Sequence, residues 1–141
     1  MRSLEEIERR IETGSPRLKA AAAAVELLRL GEEVLENWVT AKGLKPTDGG
    51  LEGFRLLALQ RQGARGAPSF NACRETCREL AYHYNLLTCE AEHPEAAGRL
   101  TMMRMIASHI CFFVAGKMQI AELGEFCCSS RSLRLDDDAR V

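Results

Sequence analysis

At 141 residues, with 46% hydrophobic and 28% charged residues, the chain has the make-up of one globular domain able to enclose a core. Its formal net charge of −1 gives no overall attraction to nucleic acid or to an anionic membrane. The charged start MRSLEEIERR is unlike a secretory signal, and no apolar run reaches the roughly 18–20 residues that span a bilayer. A cytoplasmic protein is expected, with its six cysteines as reduced thiols rather than a disulfide framework.

Ser3-Leu4-Glu5-Glu6 has the form of a capping box. It predicts a short helix over 4–13, with Leu4, Ile7 and Ile11 on one face and Gly14 as its stop. Ser15-Pro16, an N-cap followed by proline at the first helical position, predicts a long helix over 16–42 that ends at Gly43. Leu18, Val25, Leu28, Leu35 and Val39 form one apolar stripe on it, and Leu27, Leu30, Val34 and Trp38 widen that stripe. Lys45–Gly50 reads as a loop, and a second short helix is expected over 51–62 with Leu51, Phe54, Leu57 and Ala58 inward.

Gly63-Ala64-Arg65-Gly66-Ala67-Pro68 is the strongest break in the chain and the expected mobile loop. Ser69 or Asn71 then caps a long helix over 70–90, whose stripe is Cys73, Cys77, Leu80, Tyr84 and Leu87. Pro94 opens the last long helix, 94–123, stopped by Gly124. Twelve residues without charge lie between its Arg104 and Lys117. One of its faces carries Leu100, Met103, Ile106 and Ile110, and the opposite one Met102, Met105, His109, Phe112 and Gly116. A helix apolar on both sides has to be surrounded by protein. No stretch alternates as a strand does, so the expected fold is an all-α bundle: one domain over 1–124 and a polar, flexible tail over 125–141.

Several clusters carry possible chemistry. Cys73 and Cys77 stand four apart and share a helical face, and a hairpin turning near Glu92–Pro94 sets position 109 opposite Cys77. Cys73, Cys77 and His109 are therefore candidate ligands for a soft transition metal or haem, or a thiol-redox group. Against this stands the habit of buried cysteine to serve as a small apolar residue. Adjacent Cys127 and Cys128 form a second thiol pair, with Phe126 and one thiol under the bundle as the plainer reading. Di-iron chemistry is excluded because Glu90-x-x-His93 stands alone, and no phosphate-cradling glycine motif or nucleophile elbow occurs.

Arg78-Glu-Leu-Ala-Tyr-His83 and Arg104-Met-Ile-Ala-Ser-His109 share an R-x₄-H spacing. The spacing resembles the Arg…His motif of HEPN-type helical bundles, many of which are dimeric ribonucleases. The resemblance implies that the two side chains act on an RNA 2′-hydroxyl and the scissile phosphate. Arg78 and His83, with Tyr84 beside them, are the pair expected to match, because His109 lies in so apolar a run.

No motif demands catalysis, whereas the long helices carry more apolar surface than a chain of this size hides. The expected function is that of a non-catalytic cytoplasmic interaction or regulatory protein. It forms a homodimer through Trp38, Met105, Phe112 and Phe113, and engages a further protein partner.

Overall fold

The computed structural model describes residues 1–14 and 17–121. These form five α-helices: α1 Leu4–Thr13, α2 Ala20–Ala41, α3 Arg55–Ala64, α4 Arg74–Cys89 and α5 Ala96–Ile120, with a 3-10 turn over Pro68–Cys73 leading into α4. Among the described residues the only β pairing is a bridge between Leu51 and Phe54, and no helix is long and apolar enough to cross a membrane. The all-α expectation holds. Ser15, Pro16, the stop at Gly124 and the Cys127–Cys128 pair lie outside the described residues.

Ser3 caps α1 as the sequence implies, and its hydroxyl also donates to the Glu6 carboxylate at 3.2 Å. Ser3 accepts a hydrogen bond from the Glu6 amide at 3.2 Å, Ile7 and Ile11 are fully buried, and Gly14 ends α1 with φ +64°. The α2 helix closes through Gly43 at φ +81°, with the Leu44 amide reaching back to the Val39 carbonyl. Its inward residues are Leu27, Leu30, Val34, Leu35, Trp38 and Val39, whereas Leu18 and Val25 are exposed.

The α2 helix begins only at Ala20, not at 16, with Lys19 as its N-cap and residues 17–19 outside the helix. Two further starts differ from expectation for local reasons. Residues 51–54 form a tight turn with Glu52 and Gly53 both at positive φ, so α3 starts only at Arg55. The chain after Pro68 winds first as a 3-10 turn and becomes α-helical only at Arg74, so Cys73, and neither Ser69 nor Asn71, is the N-cap of α4.

The α5 helix lies against α2 and α4, with α1 on a third flank. Its buried stripe is Met103, Ile106, Ala107, Ile110, Cys111, Val114 and Met118. The Cys111 thiol donates to the Leu4 carbonyl at 3.6 Å, and the Arg104 guanidinium lies over Gly14, so α1 runs antiparallel to α5. The other described elements leave the outer side of α5 open.

Candidate functional site

The open side of α5 forms, with the end of α1, a groove of about 490 Å³ lined by Glu12, Thr101, Arg104, Met105, Ser108, His109 and Phe112. Met105 is 61% and Phe112 57% exposed, and Met102 beside them is exposed too. Side chains of that size left in water are unusual when they are contiguous. A Cβ on Gly98 or Gly116, farther along α5, would meet nothing within 4 Å.

Arg104 gives the groove its electrostatics. Its Nε is buried without a hydrogen-bond partner, and none of the ion pairs among the described residues involves it. Gly14 makes room for it: a Cβ at that position would stand 3.0 Å from Arg104 Nη2. An unpaired guanidinium held on a largely apolar wall is costly in isolation and attracts a carboxylate or phosphate. Glu12 lines the same groove without pairing to it.

The cysteine cluster forms at a different place. Cys73 and Cys77 are both buried and stand four apart at the head of α4, close enough for their thiols to interact. The Cys73 thiol also donates to the Phe70 carbonyl at 3.2 Å. Gln60, the one buried polar side chain among the described residues, turns its amide toward that carbonyl at 3.4 Å and toward Cys73 Sγ at 4.0 Å. The hydrogen bond from Cys77 holds the Cys73 thiol below its ordinary value against the opposing effect of burial, with smaller help from Gln60 and Lys117. The same bond, followed by burial, pushes Cys77 well up.

His109 does not join the two cysteines. It is exposed on the outer face of α5, and among the described residues no three histidine, cysteine or acidic side chains stand close enough to share a metal ion. The expected Cys73–Cys77–His109 set is therefore corrected to a dithiol. A hairpin register sets how high along the helix a residue stands, but not which way around the helix it points.

Trp38 is also corrected as an interface residue. It is buried, stacks on Phe70 at 4.8 Å and 7°, and donates from Nε1 to the Gly63 carbonyl at 2.9 Å. Phe113 is half-buried against Phe70, at 5.6 Å between rings, while Met105 and Phe112 face outward.

Arg78 pairs with Glu52 at 2.7 Å. His83 Nδ1 lies 2.9 Å from the Glu79 carbonyl, which can only accept, so Nδ1 carries the proton. The structure thus ties both residues of the Arg78/His83 pair into separate contacts, whereas Arg104 and His109 share one groove. Sequence reasoning passed over Glu12, Gln60 and Ser108. Nothing about Gln60 marks it as buried except its place one turn from Leu56 and Leu57. No family model, curated protein or solved structure matches the chain.

Proposed function

We propose that this chain is a non-catalytic helical interaction protein of the cytoplasm that forms a two-fold dimer through the outer face of α5. The observation that carries this reading is the unpaired Arg104 set among the exposed Met105 and Phe112. Interface cores favour aromatic residues, Met and Arg. A two-fold contact repeats each pairing twice, so the groove's two opposite charges suit a copy of itself: Arg104 of one chain meets Glu12 of the other. The open space at Gly98 and Gly116 lets a second helix approach closely. Sedimentation equilibrium at micromolar concentration tests the reading. A mass twice the chain's 15.7 kDa is expected, and a monomer throughout that range overturns it.

A second reading is favoured by one observation, the sharing of this groove by Arg104 and His109. If the HEPN resemblance extends to function, the exposed R-x₄-H pair on α5 suits RNA better than Arg78 and His83. The phosphate then takes the place of the missing carboxylate at Arg104, and His109 serves as the acid–base group. Cleavage of single-stranded RNA without added metal, abolished in His109→Ala and retained in His83→Ala, is the expected result. No cleavage by the unaltered dimer removes this reading.

A further inference from the structure

The most unusual polar feature of the interior is the contact between Cys73 and Cys77. We propose that this pair is a modification site: a dithiol that a hydroperoxide oxidises to a disulfide, with Cys73 as the attacking thiol and Cys77 as the resolving one. The inference is independent of the α5 face and of dimer formation.

The geometry has three parts. First, the two residues stand four apart at the head of one helix, both are buried, and their side chains lie close enough to interact. Positions four apart on a helix have Cα atoms about 6 Å apart, inside the roughly 4.4–6.8 Å that a disulfide accepts. Their Cβ atoms, about 5–6 Å apart on a regular helix, must approach to about 4 Å. Cys73 is where that adjustment is easiest. It is the N-cap of α4, at φ −93° and ψ 4°, where a 3-10 turn passes into an α-helix and the backbone is not yet held on both sides by helical hydrogen bonds.

Second, the surroundings suit a Cys73 thiolate. The Gln60 amide points a hydrogen at its sulfur at 4.0 Å, and the Cys77 thiol and Lys117 both lie near enough to favour the negative charge. The Phe70 carbonyl, which accepts from Cys73 while it is a thiol, retains Gln60 as a donor after the proton leaves. Cys111 is a contrast within the same molecule: burial, with Glu8 and Glu12 adding to it, pushes its thiol up to about 12.

Third, the pair lies just beneath the surface. Pro68, Ser69, Asn71 and Ala72 of the 3-10 turn are exposed, and only Phe70 and Cys73 turn inward. Short 3-10 turns have poorer hydrogen bonds than α-helices, and a hydroperoxide is a small molecule.

The chemistry balances without a cofactor. The Cys73 thiolate attacks one peroxide oxygen; an S–O bond forms, the O–O bond breaks, and the leaving alkoxide or hydroxide takes up the proton given by Cys73. The Cys77 sulfur then attacks Cys73; the S–S bond forms, the S–O bond breaks, and the departing hydroxide leaves as water with the Cys77 proton. Two thiols lose two electrons, and the hydroperoxide becomes an alcohol, or water, plus one water. The product is neutral, which a buried position tolerates better than a charged one.

The test uses the full, reduced chain. It is exposed to hydrogen peroxide, unfolded, alkylated and digested with trypsin, which cuts after Arg65, Arg74 and Arg78. This digestion leaves Cys73 and Cys77 in separate peptides, 66–74 and 75–78. The expected product is those two peptides joined, two hydrogens lighter than their sum, and separated again by a dithiol reductant. In Cys77→Ser, a dimedone adduct on peptide 66–74 is expected instead. Recovery of both peptides fully alkylated, while exposed Cys89 has been oxidised, overturns the proposal; this outcome needs no variant and no assumption about how a variant folds.

Discussion

Phe112→Ser separates the fold from the assembly. In the single chain Phe112 is 57% exposed, so its removal takes little from the core, and a surface change of this kind shifts folding stability by about 0.5 kcal/mol or less. In the proposed dimer the same ring is covered. With a side chain of about 200 Å², some 110 Å² passes out of water, worth about 3 kcal/mol per chain at about 25 cal/mol per Å². Two-fold symmetry makes the loss count twice. The sum is an upper bound, because association also costs rotational and side-chain freedom, and about 3 kcal/mol in all is a sound working figure. That corresponds to a dimer dissociation constant roughly 100-fold weaker. Sedimentation equilibrium across a concentration series reads the constant, and thermal unfolding in dilute solution reads the fold. An unchanged constant in Phe112→Ser refutes the placement of the interface, even if the protein is dimeric. A large fall in Tm at concentrations where the chain is monomeric refutes the view of Phe112 as a residue outside the core.

The charges of the groove give a second test: Arg104→Glu and Glu12→Arg each weaken the dimer, and the double exchange recovers at least part of the loss, as a double-mutant cycle by sedimentation will read. Gly63→Ala sets two effects against each other. Helix propensity favours alanine by up to about 1 kcal/mol, but the new Cβ would lie 2.8 Å from Trp38 Cδ1, and Trp38 cannot retreat from its stack on Phe70, so overpacking wins and unfolding shows a net loss of about 1–2 kcal/mol. Burial lifts the Glu32 carboxyl above its ordinary 4.5 despite Arg55 nearby, so the folded chain holds that proton more tightly and stability falls as pH rises through the interval above 4.5. Glu32→Gln flattens that part of the Tm–pH curve, and Arg55 keeps Glu36 at 2.8 Å. Exposed Cys89 alkylates rapidly in the folded protein at neutral pH, while Cys111 reacts only on the timescale of opening, as a mass-spectrometric time course will resolve.

Periodicity and caps carried the helices, because both are local. Ser3 with Glu6, Gly14 and Gly43 act within one turn of themselves, and nothing distant overrides them. The late starts of α3 and α4 were harder to read. Glu52-Gly53 makes a turn in which a non-glycine residue takes positive φ, and Pro68 opens a 3-10 turn where the sequence offers two ordinary N-caps just beyond it. For the candidate site, adjacency along one helix was legible and direction in space was not. The adjacency of Cys73 and Cys77 follows from spacing alone, and so does the grouping of Met102, Met105, His109 and Phe112 on one side of α5. Whether that side faces Cys77 or solvent depends on how α5 rotates against α2 and α4, which no local pattern encodes. Trp38 was misplaced for a related reason: its partners, Gly63 and Phe70, lie far along the chain.

The lengths of the helices explain why α5 keeps an open face. At about 1.5 Å per residue, the 25 residues of α5 extend about 37 Å, while the ten residues of α1 extend about 15 Å. The α1 helix runs from Cys111 back to Arg104 and covers one flank over that span alone. With α2 and α4 already on the buried stripe, no described element remains to cover the fourth side. Its composition then becomes informative. A permanently buried face has no need of Thr101, Ser108 and His109, and a permanently wet one has no need of Met105 and Phe112. The mixture, with an arginine lacking its counter-charge, fits a surface that spends part of its time in water and part against another molecule that brings an acid to Arg104.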